Sequence, residues 1–382
     1  MTTKSIASFL ALATAALTTA HASFEISPGT DVFLTGTAGV KYSDNIFLAS
    51  SKEKSSTIID VQPGFSLEMG SAALTKNVFT YSEDFVTYTD ASSQNTELAE
   101  VQYDGKYSDD KLTLKLNAGY HQLAQNSRDI RLNGVIVHTD VTNVTPTVEV
   151  IVSPKTTLGA GVDYENYHYQ NAGFTDLTSV AVPLNAYYEI EPKLQASVGY
   201  RYRNNSLDLP GANSDDNYFN VGARGEFDPK LTGLVTVGYN YRDIKAVTVN
   251  GVRIAGRTET GVGLESQLQY AYDEKTNFTF TAKNDFANAA TGDTQKVFTI
   301  GAGFSSALTD VLTVDGSLNY SNFKYVSSSR ADDFYMGHLG LTYSYNANVK
   351  FNAAYDYQDN SSNLSGASFT NNVFGVSVIV RY

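Results

Sequence analysis

The stretch "LQASVGYRY" at residues 194–202 alternates apolar and polar side chains along its whole length. Its even-numbered positions carry Leu, Ala, Val, Tyr and Tyr, whereas its odd-numbered positions carry Gln, Ser, Gly and Arg. A period of two residues is typical of a β-strand with one apolar face and one polar face. Similar stretches occur at residues 112–120, 231–241 and 349–357, each ending in tyrosine. The sequence therefore repeats one kind of strand.

The connections between these strands alternate between short and long. The short ones include "SPK" from Ser153, "EPK" from Glu191 and "DPK" from Asp228, where proline in the second position predicts type I turns. The long ones are polar and variable, as in "RNNSLDLPGANSDD" and "VSSSRADD". No helical periodicity with caps is present after the N-terminal segment. This pattern predicts an all-β protein of about 18 antiparallel strands whose two ends face different environments.

The length of each strand fits a membrane. About 9 to 11 residues, at ~3.3 Å each and tilted by ~40°, cross roughly 25 Å of hydrocarbon. Backbone polar groups in hydrocarbon need partners within the protein, so the sheet must close into a single transmembrane β-barrel. Leu, Val, Ala and Phe would then face lipid, with Tyr at the interface. An even strand number predicts short periplasmic turns, long extracellular loops and both termini in the periplasm.

The first residues predict export. Lys4, an apolar run at residues 6–17 and Ala20-His21-Ala22 fit a secretory signal peptide cleaved after Ala22, because the run is too short to span a bilayer. We therefore divide the chain into a signal peptide, residues 1–22, and an outer-membrane barrel, residues 23–382. Only eight residues, 23–30, would precede the first strand, too few for a plug domain. Any constriction must then come from lumen side chains or an infolded external loop.

Composition excludes several classes of function. The chain contains no cysteine, so it has no disulfide and no thiolate chemistry. Its 27 basic and 40 acidic residues give a net charge of −13, and loss of Lys4 makes it −14. Such a balance argues against nucleic acid as a partner. The 26 Tyr and 20 Phe favour strands and a lipid interface.

The last strand, "NVFGVSVIVRY", places Phe374, Val376, Val378, Val380 and the terminal Tyr382 on one face. A final strand that ends on an aromatic residue resembles the signal that outer-membrane barrel assembly machinery reads. We expect this machinery and outer-membrane lipid as partners. A terminal strand of a soluble sandwich is the alternative interpretation of this segment alone.

Three prolines do not fit an uninterrupted barrel strand. Pro63, Pro146 and Pro183 lie inside strand-like runs, where a closed sheet has no edge to accommodate a missing N–H donor. We place all three on the outward face, where they would mark bends near the outer side of the membrane. Otherwise the strand count is wrong by a pair.

The segments "KYSDNIFLASS" from Lys41, "IIDVQPGFSLEMG" from Ile58 and "FTYSEDFVTYTDASSQNTE" from Phe79 resemble the opening of the putative beta-barrel porin 2 family. The matching features are Asp44 to Phe47 after the first strand and Pro63-Gly64 in the second. The resemblance covers roughly the first quarter of the mature chain. It implies an outer-membrane barrel linked to export of exopolysaccharide or capsule, with polysaccharide and periplasmic export components as partners.

A barrel of this size leaves an aqueous channel unless something fills it. Twelve charged residues on the predicted inward face are candidates for lining it: Lys41, Asp60, Glu68, Lys115, Asp163, Arg201, Arg224, Glu226, Arg242, Glu265, Asp315 and Asp356. The mixture of signs predicts weak selectivity, or a preference for neutral or zwitterionic sugars, because a pore for polyanions would carry a basic ladder. These charges could equally be paired across the lumen wall and have only a structural role.

The sequence thus predicts an outer-membrane channel for polysaccharide or other small hydrophilic solutes. The alternative is a structural or adhesive barrel whose function lies in its loops. Two long loops include β-rich runs, "GVIVH" from Gly134 and "AVTVNGVRI" from Ala246, which predict strand extensions above the membrane. His338 is the one histidine expected at mid-barrel, and no motif joins it to a nucleophilic serine. We expect no enzyme activity, no catalytic residue, no metal site and no cofactor.

Overall fold

The structure, a computed structural model, describes residues 24–70, 73–132, 134–249 and 251–382. The predicted signal peptide lies outside the described residues. The described part of the chain forms 22 strands and one 3₁₀ turn, Ser92–Gln94. The strands are β1 (Phe24–Ser27), β2 (Thr30–Ser43), β3 (Ser56–Met69), β4 (Thr75–Tyr88), β5 (Thr96–Ser108), β6 (Leu112–Ala124), β7 (His138–Ser153), β8 (Thr156–Gly161), β9 (Asp163–Tyr169), β10 (Leu177–Glu191), β11 (Leu194–Leu207), β12 (Ser214–Asp228), β13 (Leu231–Ile244), β14 (Val247–Val249), β15 (Val252–Ile254), β16 (Arg257–Ala271), β17 (Thr276–Asn288), β18 (Thr294–Ala307), β19 (Leu312–Tyr325), β20 (Ala331–Ser344), β21 (Val349–Ser362) and β22 (Phe369–Arg381).

Strands β2 to β22, apart from β14 and β15, form one closed antiparallel barrel. Each wall strand pairs with the next along the chain, and β22 returns to pair with β2 from Thr35↔Arg381 to Ser43↔Val373. Strands β8 and β9 follow one another in a single wall position, whereas β1, β14 and β15 lie outside the ring. The barrel therefore has eighteen strands, which confirms the predicted fold class. No helix among the described residues has the length and apolar character that a membrane span requires.

The interruption between β8 and β9 comes from two prolines on the neighbouring strands. The register with β7 is the same on both sides of it, because Thr147 faces Gly161 and Val144 faces Tyr164. Val162 donates its N–H to the carbonyl of Pro146 at 3.0 Å, but Pro146 has no N–H to return. Pro183 stands at the corresponding place in β10. The sheet therefore loses ladder bonds at one point without a bulge or a change in strand count.

The side-chain directions of the prolines differ from the prediction in one case. Pro63 and Pro146 point outward, as predicted. Pro146, for example, is paired with the exposed Leu116 on the lipid side of the wall. Pro183 is paired with Arg201, whose side chain lies inside the barrel, so its outward placement was wrong. Leu184, the next residue, is the one that faces outward and is 48% exposed.

The short turns all lie at one end of the barrel, together with the start of β2 and the end of β22. Several use an aspartate that accepts backbone N–H bonds, as Asp109 does from Lys111 at 2.8 Å. That backbone bond lowers the pKa of Asp109, and the same bond from Lys275 lowers the pKa of Asp273. The "EPK" turn is not type I as predicted, because Lys193 has φ 71°, which is typical of the third position in a type II turn.

The β2–β22 seam permits a direct test of closure in a chain with no native cysteine. A Cβ built on Gly39 would lie 3.3 Å from the Cβ of Ser377, just under the separation found in disulfides. We expect the pair Gly39→Cys and Ser377→Cys to form an intramolecular disulfide on mild oxidation, detected by a mobility shift on a denaturing gel. The Asp60 carboxylate, 3.0 Å from the new Cβ, must rotate aside to admit the cysteine.

The matched control pairs Gly39→Cys with Val373→Cys, which lies four residues away from the facing position in the same strand. This separation is about 13 Å along the strand, too far for a disulfide. Equal crosslinking in the two double variants, or none in the first, would contradict the closed seam.

The barrel interior and its outer mouth

Contacts between strands that are not neighbours identify the inner face. Arg224 on β12 donates to Glu149 on β7 at 2.6 Å, and Arg201 on β11 donates to Asp285 on β17 at 2.7 Å. Such contacts can only pass through the interior of a closed barrel. The alternate positions carry the most exposed apolar side chains, including Leu318 at 72% and Val376 at 61%. One face is therefore polar and internal, and the other is apolar and external.

All twelve charged residues proposed from the sequence lie on the inner face, because each is in register with residues that make the interior contacts. The structure brings few of them together. Lys41 and Asp60 are 3.2 Å apart, and His338 connects Asp315 with Asp356. The other ion pairs use partners that the sequence analysis did not identify: Glu149 for Arg224, Lys193 for Glu226, Asp216 for Arg242, Asp285 for Arg201 and Arg381 for Glu68.

Three of the twelve, Lys115, Asp163 and Glu265, make no ion pair or hydrogen bond through their side chains within the described part of the chain. Sequence reasoning missed the partners of the others because pairing across the interior depends on the height of each residue in the barrel. Alternation reveals the face of a side chain but not its height. Only the cross-strand register supplies that information.

Exposure divides the interior into two zones. At mid-barrel the side chains of Asp315 and Asp356 are 38% and 47% exposed, so this zone is open to water. Towards the long-loop end, here called the outer mouth, Asp332 and Arg242 are completely buried. The interior is thus accessible to water at the centre and filled at the outer mouth.

The first element that fills the mouth is the connection between β6 and β7, residues 125–137, which we call the mouth loop. Its Arg128 donates to Asp332 at 2.8 Å and to the hydroxyl of Tyr325 at 2.7 Å, on the opposite side of the barrel. The Arg128 guanidinium also lies 3.5 Å from the ring centre of Phe323, in a cation–π contact. The loop therefore extends inward across the opening instead of outward into solvent.

Apolar residues hold the base of the mouth loop. Ile136 and Val137 are almost fully buried, and Ile136 packs with Ile46 and Tyr88. These residues belong to the run "GVIVH", so the predicted strand extension was wrong there: the segment packs into the mouth. The other run does form a hairpin, β14 with β15, outside the barrel sheet. Both runs are rich in residues that favour β-strands. They differ in the residues that they pack against.

The second element is the outer part of the β17–β18 hairpin, residues 285–295, which we call the infolded hairpin. Pairing of β16 with β17 stops at Leu264↔Asn284, and above this point β17 turns away from its neighbour. Its free carbonyls are bonded by arginines instead: Arg203 donates to Phe286 at 2.8 Å and Arg242 donates to Ala287 at 2.9 Å. On the outside, the amide of Asn284 donates to the carbonyl of Val262 at 2.6 Å.

The charges in this region are buried but paired. Asp216 is 1% exposed and accepts from Arg242 at 2.6 Å and from Arg203 at 2.7 Å. A buried charge without a partner destabilises a fold by several kcal/mol, so each arginine here requires its aspartate. Asp285 serves in the same way for Arg201 and Arg203. The two mouth elements meet at Gln295, which donates to Asp129 of the mouth loop at 2.9 Å.

His338 lies on the inner face at mid-barrel, between two carboxylates. Its Nδ1 is 2.6 Å from Asp356 and its Nε2 is 3.1 Å from Asp315. Both ring nitrogens are therefore occupied by acceptors, and no hydroxyl among the described residues bonds to the ring. A catalytic histidine would need a free nitrogen next to a nucleophile. The described residues contain no group of three or more His, Asp or Glu side chains that could hold a metal ion.

Such a barrel, apolar outside and polar inside, defines an integral outer-membrane protein of the porin class. The chain belongs to the putative beta-barrel porin 2 family, whose model matches residues 13–227 and 76–382. This confirms the resemblance found in the sequence. Comparison with curated proteins finds none that matches.

Solved structures with a TM-score of 0.50 or more show the same fold at low sequence identity. The ferric citrate transporter FecA, unliganded, has a TM-score of 0.51 at 10% identity, covering 91% of this chain and 78% of FecA. OccK2 (OpdF) of Pseudomonas aeruginosa has a TM-score of 0.50 at 10% identity, covering 93% of this chain and 98% of OccK2. The FrpB iron transporter of Neisseria meningitidis (F3-3 variant) has a TM-score of 0.43 at 10% identity over 86% of this chain. The chain spans 62% of the length of that FrpB chain.

The contacts of Arg128 predict what holds the mouth loop in place. We expect Arg128→Gln to release the loop, because Asp332 loses one of its two arginine partners and the Phe323 contact is lost. The measurement is the rate at which an added protease cleaves residues 125–137 in the detergent-solubilised protein. We expect this rate to rise at least several-fold. Arg257→Gln is the matched control, since Arg257 is exposed and makes one bond to Ser327. Equal cleavage of the two variants would show that Arg128 does not hold the loop.

The geometry of His338 predicts that this residue takes no part in hydrolysis. Purified protein with His338→Ala should show the same rate of phospholipid hydrolysis as the unaltered protein, at the background level of the assay. A clear loss of hydrolysis on this substitution would overturn the non-enzyme interpretation.

Proposed function

We propose that this protein is a channel for small hydrophilic solutes across the outer membrane. The observation that carries the proposal is the polar, partly hydrated interior, with Asp315 and Asp356 at 38% and 47% exposure inside an apolar outer wall. Eighteen-stranded barrels are wide enough to enclose an aqueous lumen. In this proposal the short turns and both termini lie in the periplasm, and the outer mouth faces the exterior.

The charges on the inner face support weak ion selectivity. Residues of both signs occur on the inner face, and most of the twelve have an oppositely charged partner across the lumen or on the next strand. Strong selectivity requires a ring or ladder of one sign, which the described inner face does not present. We propose the inner charges named above as pore-lining residues within this balanced field, except Asp60 and Arg242, which are buried among other side chains.

The filled mouth favours small solutes over a polymer. The mouth loop and the infolded hairpin meet in the opening, so a polysaccharide chain could pass only after one of them moved out. Export of exopolysaccharide, which the family resemblance implies, therefore requires a rearrangement of Arg128 and its partners. Passage of small hydrophilic solutes requires none.

The C-terminal strand supports a role for the outer-membrane assembly machinery. Strand β22 ends next to Tyr382, whose N–H donates to the carbonyl of Leu34 at 2.8 Å. The aromatic terminus is thus part of the seam that closes the barrel. We propose that the machinery recognises this strand before the seam forms, and that lipid then covers the outer wall.

Planar bilayer recordings test the channel. We expect a small conductance with weak preference between anions and cations, and we expect deletion of residues 127–135 to raise the conductance several-fold because the deletion opens the mouth. The control deletion, residues 247–254, removes the external β14–β15 hairpin and should leave conductance nearly unchanged.

Strong anion selectivity would contradict the balanced interior. If neither the unaltered barrel nor the mouth-loop deletion conducts, the proposal fails and a structural or adhesive role in the loops is favoured.

A further inference from the structure

A cavity of about 390 Å³ opens on the inner face beside the infolded hairpin. Its walls come from β9, β10 and β11 on one side and from β17 and β18 on the other, so it lies across the lumen. A sphere of this volume would be roughly 9 Å wide, which is enough for one sugar ring but not for a polymer segment. The residues that matter here are Glu165, Tyr167, Tyr169, Arg203, Lys283 and Asn288.

Most charges around the cavity are already neutralised. Arg203 bonds to Asp216 at 2.7 Å and to Asp285 at 3.3 Å, and both carboxylates have further arginine partners. These paired groups hold the infolded hairpin in place. Because their charges are neutralised, they form a structural part of the cavity wall and attract a charged solute only weakly.

Two charged residues in the same cavity, unlike the paired groups above, have no partner of opposite charge bonded to them among the described residues. Lys283 and Glu165 are exposed to the lumen, and neither makes an ion pair or a side-chain hydrogen bond within the described part of the chain. Lys283 stands opposite Glu265 in the β16–β17 register, yet the two charged groups do not pair. The cavity thus offers an ammonium group on β17 and a carboxylate on β9, on opposite walls. Neither group is held in an ion pair or hydrogen bond by the described residues, although the ammonium group lies in the field of Asp163 and Asp285.

The neutral groups around these charges suit a hydroxylated ring. The hydroxyls of Tyr167 and Tyr169 have no partner among the described residues, and Asn288 adds an amide at the rim. Tyrosine rings pack against the apolar faces of sugars, while hydroxyls and amides bond to their edges. Charge-assisted bonds to the two charges would add orientation and selectivity.

We propose that this cavity is a binding site for a hexose-sized zwitterionic solute, with its carboxylate at Lys283 and its ammonium group at Glu165. The inference rests on the proposed function, because the site serves transport only if solutes enter the lumen. A solute with a single charge would satisfy one wall and leave the other unpaired. A neutral sugar would satisfy neither.

Equilibrium binding to the detergent-solubilised barrel tests the site without requiring conduction. Four probes share the hexose ring and differ in charge: glucose is neutral, glucosamine is cationic, glucuronate is anionic and muramic acid, which adds a lactyl ether, is zwitterionic. Titration calorimetry should show muramic acid binding about tenfold or more tightly than glucose, with the two singly charged sugars between them.

Substitutions then show which cavity residue binds which charged group of the solute. Lys283→Gln should remove the advantage of muramic acid over glucosamine, and Glu165→Gln should remove its advantage over glucuronate, whereas Lys283→Arg should keep the original order. The matched controls are Lys275→Gln and Glu274→Gln, which make the same charge changes in the short turn before β17. They should bind all four probes as the unaltered protein does.

The proposal is overturned if glucose, glucosamine or glucuronate binds as tightly as muramic acid, if no probe binds, or if neither cavity substitution changes the order. Because binding is measured in detergent, a barrel that binds muramic acid but does not conduct would refute the channel and not the site. A barrel that conducts but shows no preference would refute the site and not the channel.

Discussion

In hydrocarbon, a backbone N–H or C=O has no water to bond, and this constraint determines most of the structure. A sheet can satisfy it only by closing, and the β2–β22 seam provides that closure. The same constraint explains the local exceptions. Where prolines remove donors beside β8 and β9, the register is retained and the loss is limited to one point. Where β16 and β17 separate, Asn284 and the arginines of the interior bond to the carbonyls left free.

A closed sheet of eighteen strands has more interior than its own side chains can fill. The chain fills the outer mouth with two inward-folded segments, and both are held by arginines paired with aspartates. At the mouth the charges are buried and paired, which is the arrangement expected of charges with a structural role. Those at mid-barrel are exposed to the lumen. The same residue types are therefore buried and paired at the mouth but exposed at mid-barrel.

Much of the architecture follows from local sequence. Alternation, turn chemistry and the rhythm of short and long connections predict the strands, their number and the face of each charged residue. They do so because a strand's period and a turn's backbone angles are local properties. The inward packing of the "GVIVH" segment is not local, since Ile136 and Arg128 find their partners across the barrel. The cavity at Lys283 and Glu165 is equally invisible, because it depends on the inward turn of β17.

The central claim is that one face of each strand contacts water and the other contacts lipid. It is tested most directly on β11 by single cysteines at residues 195–201 in a chain with none of its own, labelled in proteoliposomes with a water-soluble maleimide. We predict labelling at 195 and 201 and protection at 196, 198 and 200, with 197 and 199 also protected because both positions are buried among inner side chains. Uniform labelling along the strand, or labelling of the even positions alone, would contradict the barrel and its lumen.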